Sequence, residues 1–344
     1  MKKTLKRTSK RTSKQISKRT STKPAPARVP DPAITQPQSI IRSLGVMALK
    51  GRMDAAMEVV RAFALDHPHV KVYLNGYLKP YADKRMKPQS DAFLGSRVDA
   101  LLSLGGDGTF LTAARLVRGE KVPILGVNLG RVGFLADASL DNLRKILEEL
   151  LLRDYTLRRR MLLGIEHWRG KKLIFQDIAL NEIAFAGEMG GQMVELSVSA
   201  RGRFLTEYRV DGLLVSTPTG STAYSLSAGG PIIHPSGNSI LLTPMNPASL
   251  SVRPLVLPDS MEIEVKNHMS DNTTVNLYVD GRQRRSFQPG DVIRIHKHPE
   301  GLRIIRPQDS SYFNSLRTKL GWTGSRDSVG NPASMEPGNH VAPS

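Results

Sequence analysis

The chain of 344 residues contains no cysteine. That absence excludes disulfides, thiolate zinc sites and a cysteine nucleophile. It fits a reducing compartment, read here as the cytoplasm. No apolar run approaches the roughly 18 residues that a membrane span requires, so no membrane association is expected. Acidic residues are missing from residues 1–30, which hold seven lysines and four arginines. The formal charge of +18 is concentrated there, and +7 is left for the rest of the chain. A mildly basic body suits an enzyme with polyphosphate substrates. A constellation of metal ligands is also missing. His296 and His298 flank Lys297 on a predicted strand, which puts them on one face, but no carboxylate pattern accompanies them. They read as surface residues, and no metal site built by the protein is expected.

What is present divides the chain. Residues 1–37 repeat KRTSK, RTSK and SKRTS and then carry five prolines, Pro24, Pro26, Pro30, Pro32 and Pro37. Such a segment buries too little apolar area to offset its ordering entropy, so disorder is expected. Two readings of it stay open: a solvated tail with weak polyanion binding, and an organelle transit peptide. The second lacks an amphipathic face, since Leu5 and Ile16 are almost the only large apolar residues. A secretory signal is disfavoured because no apolar stretch follows the lysines. Residues 323–344, rich in Gly, Pro, Ser and Asn, are expected to fray.

Between the tails the rhythm changes once. Residues 38–154 alternate strand-like apolar runs, such as Val98 to Leu104 and Val122 to Val127, with helical spacing, such as Met53 to Leu65 and Leu140 to Leu152. That alternation implies a parallel sheet with right-handed crossovers, a Rossmann-like α/β nucleotide-binding domain. From 155 to 305 long helices disappear. Short β-like runs follow one another, among them Ile178 to Ala186, punctuated by turns such as Asp280-Gly281. An all-β, layered second domain is expected. The helix-like end, Tyr312 to Trp322, follows it.

Three stretches could carry chemistry. The first is Gly105-Gly106-Asp107-Gly108-Thr109 between a strand and a helix start. Three glycines let a ligand approach the backbone, and the helix start attracts a phosphate. A tight βα turn with a capping aspartate is the plainer alternative. The second is Asn181-Glu182, polar residues between Leu180 and Ile183 that need partners if buried. Taken alone, an edge-strand or turn pair is the commoner explanation. The third is Asp211-Gly212-Leu213-Leu214-Val215-Ser216-Thr217-Pro218-Thr219-Gly220-Ser221-Thr222-Ala223-Tyr224-Ser225-Leu226-Ser227. An apolar strand feeds a hydroxyl-rich loop whose small residues let a ligand lie close. Tyr224 offers a face for a base.

Taken in this order, the stretches resemble the NAD kinases, which make NADP from NAD. The matching motifs are GGDGT, NLGRVGFLAD at 128–137, the Asn181-Glu182 pair, RVDGLLVSTPTGSTAYSLSAGGP at 209–231 and the closing YFNSLRTKLGW. The glycine turn is shared with diacylglycerol-type and phosphofructokinase-type kinases; the later motifs are specific. The resemblance implies an α/β domain plus a β-sandwich, the chain returning to the first domain over 306–322. It implies ATP or polyphosphate as donor with Mg²⁺, NAD as acceptor, and a homodimer or homotetramer with sites completed across subunits. Asp107 would take the proton of the ribose 2′-OH, with Gly105, Gly106, Gly108 and Thr109 at the phosphates. Asn181, Glu182 and Asp211 would hold the ribose and nicotinamide parts. Arg209 would supply positive charge. Thr222, Ala223, Tyr224, Ser225, Leu226 and Ser227 would frame the adenine.

Two positions depart from the family pattern. Asp280-Gly281-Arg282-Gln283 stands where members often carry Asp-Gly-Gln or Asp-Ser-Gln, and Gln192 stands where some carry histidine. Rival readings are a diacylglycerol-type lipid kinase, which does not require the STPTGSTAY loop, and a non-catalytic nucleotide sensor.

Overall fold

In the computed structural model, described over residues 34–35, 40–117, 122–130, 133–136, 138–187, 193–269, 274–307 and 311–322, two kinds of sheet follow one another. The first sheet has a parallel centre. Ser43–Met47, Lys71–Leu74, Ala100–Leu104 and Ile124–Asn128 run side by side. Ala100–Leu104 and Ile124–Asn128 are buried along their whole length, as strands covered on both faces must be. Helices α1 (Asp54–Asp66), α2 (Asp107–Val117) and α3 (Leu143–Leu152) cover them. Each buries apolar residues three and four apart: Ala56, Met57, Val60, Phe63 and Ala64 in α1, and Phe110, Ala113, Ala114 and Val117 in α2. α1 and α3 share one core with Leu102 and Leu125. α2 packs on the opposite face with Leu101 and Ile124. Leu162, Leu180 and Leu302 join that second core. So α2 lies between the sheet and the β-rich half of the chain.

The β-rich half is a sandwich of two six-stranded sheets. Lys172–Ala179, Leu163–Arg169, Asp291–Lys297, Ile263–Asn267, Val194–Ala200 and Arg203–Val210 form one. Leu255–Pro258, Ser239–Met245, Gly212–Ser216, Glu182–Gly187, Val275–Val279 and Arg282–Phe287 form the other. Their inward side chains, including Ile165, Val198, Phe185, Val215 and Leu277, make a single apolar core.

Three expectations are corrected here. Tyr155–Arg160 and Leu302–Pro307 belong to the first sheet, paired antiparallel from Leu302↔Arg160 to Pro307↔Tyr155, and Ile304 lies parallel beside Ile124. The first sheet is thus completed by strands from either side of the sandwich, which local rhythm cannot reveal. Ile34–Thr35, inside the segment expected to be disordered, pairs with Tyr155–Arg160 at the sheet edge. The run Ile178 to Ala186 is two strands in different sheets, with Asn181 at the bend between them. The expected disorder of the remaining tail residues, and Gln192, lie outside the described residues. After the sandwich the last helix, α4 (Tyr312–Leu320), follows Leu302–Pro307. Its Lys319 ammonium sits 3.6 Å from the centroid of Phe134, beside the sheet's carboxyl end. Of these residues, no helix is long and apolar enough to cross a membrane.

Candidate active site

The glycine turn after Ala100–Leu104 leads straight into α2, whose first residue is Asp107. Gly105 has φ +143, and a Cβ there would collide with Thr109 Oγ1, so glycine is required. A Cβ on Gly106 or Gly108 would meet nothing within 4 Å. Those two positions open onto space beside the helix start, where an anion is favoured. The Asp107 carboxylate accepts the backbone N–H of Phe134 at 2.9 Å and of Leu135 at 3.2 Å. A Cβ at Gly133 would collide with that carboxylate. The two glycine-rich turns therefore interlock through Asp107, whose charge-assisted hydrogen bonds fix its position.

The Asn181-Glu182 corner is built by a residue that sequence reasoning passed over. Asp280 sits in the two-residue hairpin turn between Val275–Val279 and Arg282–Phe287, at φ 47, with Gly281 at φ 71. Both values are left-handed, as a type I′ turn demands. The Asp280 carboxylate accepts the N–H of Leu180 (3.1 Å), Asn181 (2.7 Å) and Glu182 (3.2 Å). Three successive amides aimed at one carboxylate bend the chain there. Glu182 is 6% exposed, and its Oε2 has no hydrogen-bond partner. Burial first, and the facing Asp280 second, push its carboxyl up to about 8. Burial also raises Asp280, while its three amides and Arg115 pull it down. Glu182 lacks those donors, so it is the member of the pair that keeps a proton.

The hydroxyl-rich loop lies against this corner. Glu182 pairs with Ser216 across the sheet. Thr217 donates its hydroxyl to the Leu180 carbonyl at 2.6 Å and its N–H to that of Asn181 at 2.9 Å. A Cβ on Gly220 would overlap the Asn181 backbone. Several hydroxyls expected at a ligand are spent on the loop itself. Ser221 bonds the Pro218 and Ile233 backbone. Ser225, fully buried, bonds Thr243 Oγ1 at 2.8 Å. Thr222 donates to the Thr219 carbonyl at 3.2 Å. Tyr224 is different: it starts the short helix Tyr224–Ser227 and is 52% exposed. Ser227 is exposed too, and Ala223 and Leu226 are half-buried.

Known proteins match both halves of the chain that carries Asp107, the Asn181-Glu182 corner and the Tyr224 loop. A family model described as the ATP-NAD kinase N-terminal domain matches residues 1–155, and one for the ATP-NAD kinase C-terminal domain matches 180–307. The chain belongs to the NAD kinase family. The NAD kinase of Azotobacter vinelandii is 37% identical over 83% of this chain and 97% of its own length. That of Nitrosomonas europaea is 38% identical over 67% and 77%. A crystal structure of yeast NADH kinase complexed with NADH superposes with a TM-score of 0.75, at 27% identity, over 84% of this chain and 90% of that one. The lipid-kinase reading falls away, because the second family match begins at the Leu180-Asn181-Glu182 corner and runs through the loop. NAD kinase activity, the phosphorylation of NAD to NADP, follows from family and relatives.

Within this NAD kinase chain, two expected site residues stand apart. Glu182 pairs with Ser216 but Ala186 pairs with Gly212, so Asp211 lies beyond the other end of the ladder. That is roughly 17 Å along the strand at about 3.4 Å per residue. Asp211 accepts a hydrogen bond from Asn246 Nδ2 at 2.9 Å, and Arg209 lies 3.7 Å from Glu195. Arg282, at the departing position, donates to Thr112 of α2 at 2.7 Å, and Gln283 bonds Asn276. His296 and His298 are not simple surface residues: both are half-buried and line a cavity of about 330 Å³ with Glu166 and Asp177, which contains none of the motif residues. Among the described residues no group of three or more His, Cys, Asp or Glu side chains could hold a metal.

Asp280 and Arg115 are the contacts at this corner that sequence reasoning did not place, whereas Gly133 lies within the 128–137 motif. For Asp280 the signals are the Asp280-Gly281 turn and its place in the Asp-Gly-Arg-Gln stretch that departs from the family pattern; neither points to the Asn181-Glu182 corner.

Proposed function

We propose that Asp107 is the general base of the reaction. ATP is the donor, with inorganic polyphosphate as a second candidate. The proton of the adenosine ribose 2′-OH passes to the Asp107 carboxylate, the ribose oxygen bonds the γ-phosphorus, and the bond from that phosphorus to the β–γ bridging oxygen breaks. ADP and NADP leave. Positioning and charge neutralisation carry most of such a transfer, and general-base help is worth about 10²–10⁴-fold. The observation that carries the reading is the pinned Asp107 carboxylate, held by the Phe134 and Leu135 amides. It stands beside two glycines that leave open space. Mg²⁺ would be held mainly by triphosphate oxygens and water, neutralising phosphate charge. Gly105, Gly106, Gly108 and Thr109 would border the phosphates.

Asn181 and Glu182 would hold the ribose side of NAD, and Tyr224 would stack on adenine, with Thr222, Ala223, Leu226 and Ser227 bordering its pocket and the buried Ser225 holding the loop from behind through Thr243. Arg209 and Asp211, distant from that corner along the strand, would act on a ligand bound to a second copy, in a homodimer or homotetramer. The cysteine-free composition supports a cytoplasmic enzyme.

The test is direct. The purified protein is incubated with Mg²⁺ and NAD, with ATP and polyphosphate in parallel, and NADP is measured. Asp107→Asn is expected to bind NAD as before and to lose about 10²–10⁴-fold in turnover. Undiminished turnover in that variant refutes the role.

A further inference from the structure

Arg115 lies eight residues after Asp107 on α2, about 12 Å along the same rigid rod at about 1.5 Å per residue. Its guanidinium leaves the α/β half and enters the sandwich. Nη2 donates to the Val279 carbonyl at 2.6 Å and to the Asp280 carbonyl at 3.4 Å, and it stands 3.9 Å from Asp280 Oδ2. The side chain is only 12% exposed. Burial lowers its affinity for the proton, Asp280 raises it, and Arg284 and Arg282 lower it further. A buried cation beside two other arginines is costly unless it is paired and hydrogen-bonded, and here Asp280 and the Val279 carbonyl supply both. Arg284 is drawn aside by Asp177 at 3.1 Å, and Arg282 donates to Thr112 at 2.7 Å, one helical turn from Arg115. Two arginines therefore stitch one hairpin turn to one helix. On the other side of that turn, the Asp280 carboxylate takes the Leu180, Asn181 and Glu182 amides.

We propose that Arg115 and Asp280 are positioning residues for phosphoryl transfer, forming a relay that locks the Asn181–Glu182 corner to the helix beginning at Asp107. The inference rests on the reading of Asp107 as base and of the corner as the NAD-holding pair. Neither residue touches substrate. Arg115 fixes where the hairpin turn sits relative to α2, and Asp280 converts that position into the bend of the corner. A displacement of about 1 Å between base and acceptor can cost 10²-fold in rate, so a link of this kind carries kinetic weight.

The experiment compares Asp280→Asn, Arg115→Lys, Arg115→Met and the double variant Arg115→Met/Asp280→Asn in the full chain. Thermal midpoints are measured first, and kinetics are run at least 15 °C below the lowest of them. Asp280→Asn and Arg115→Lys keep size and most hydrogen bonds, so they test the relay even if Arg115→Met does not fold. Arg115→Met is expected to lose at least tenfold in kcat/KM for NAD. Arg115→Lys recovers part of that, because its ammonium still reaches the Val279 carbonyl. Asp280→Asn loses about tenfold. The double variant falls no further than the worse single variant, since both break one chain of contacts. Wild-type kcat/KM in folded Asp280→Asn and Arg115→Lys overturns the relay, as do losses that multiply in the double variant. Asp107→Asn is assayed alongside. If it stays active the reading of the base fails; if it is inactive while the relay variants are unimpaired, only the relay fails.

Discussion

Replacing Glu182 by Gln should make the protein more stable as the pH rises. Glu182 sits at 6% exposure with one oxygen unpartnered, and its carboxyl is pushed from 4.5 up to about 8 by burial and by Asp280. In the unfolded chain it ionises in the ordinary range. A group whose folded value is raised lends its full stability below the unfolded value and loses it as the pH climbs to the folded one. The window is therefore about pH 4.5 to about 8. Each unit within it is worth about 1.4 kcal/mol, so the wild type loses at most about 5 kcal/mol across it. Gln has the same shape and no proton to release. Urea unfolding of wild type and Glu182→Gln at pH 5, 6, 7, 8 and 9, followed by circular dichroism, isolates the effect. The stability difference should grow in favour of the variant by about 1 kcal/mol or more per unit up to pH 8 and then flatten. Asp280 is present in both proteins and cancels to first order. A difference independent of pH would falsify the assignment of the proton to Glu182.

Three further substitutions separate catalysis, binding and scaffold. Gly133→Ala puts a methyl into the Asp107 carboxylate; kcat should fall about 10²-fold, and an unchanged kcat would mean that the base does not depend on the second glycine turn. Tyr224→Ala removes an exposed ring. Losing one base stack is worth about 1–3 kcal/mol, so calorimetry should find NAD binding weakened about 5- to 150-fold with the unfolding midpoint unmoved. Ser225→Ala should do the reverse. Its hydroxyl bonds buried Thr243, and stability should fall by about 1–3 kcal/mol while KM for NAD stays within twofold.

Much of the site could be read from the chain because its parts are local. A glycine turn between an apolar strand and a helix needs only neighbouring residues to be recognised, and Asp107 stands in the middle of one. The loop from Ser216 to Ser227 is legible for the same reason. Which of its hydroxyls face outward is not, because Ser225 and Thr243 meet only after two strands pair. The bend at Asn181 is not fixed by the local pattern, which fits a continuous strand or a turn, since it is imposed by a carboxylate 99 residues away. Arg115 and Asp280 are farther apart still, 165 residues, and no spacing rule joins them. The first sheet draws two strands from beyond the expected boundary, because hydrogen bonding between strands follows space and not chain order. Local backbone preference and apolar period thus decided where turns, strands and helices could form and which residues could do chemistry. Only the packed structure decided which distant carboxylate bends the corner, which hydroxyls are already satisfied and how the Asp107 carboxylate is held. Those depend on desolvation and on donors brought within 3.2 Å, and neither exists until the chain has folded.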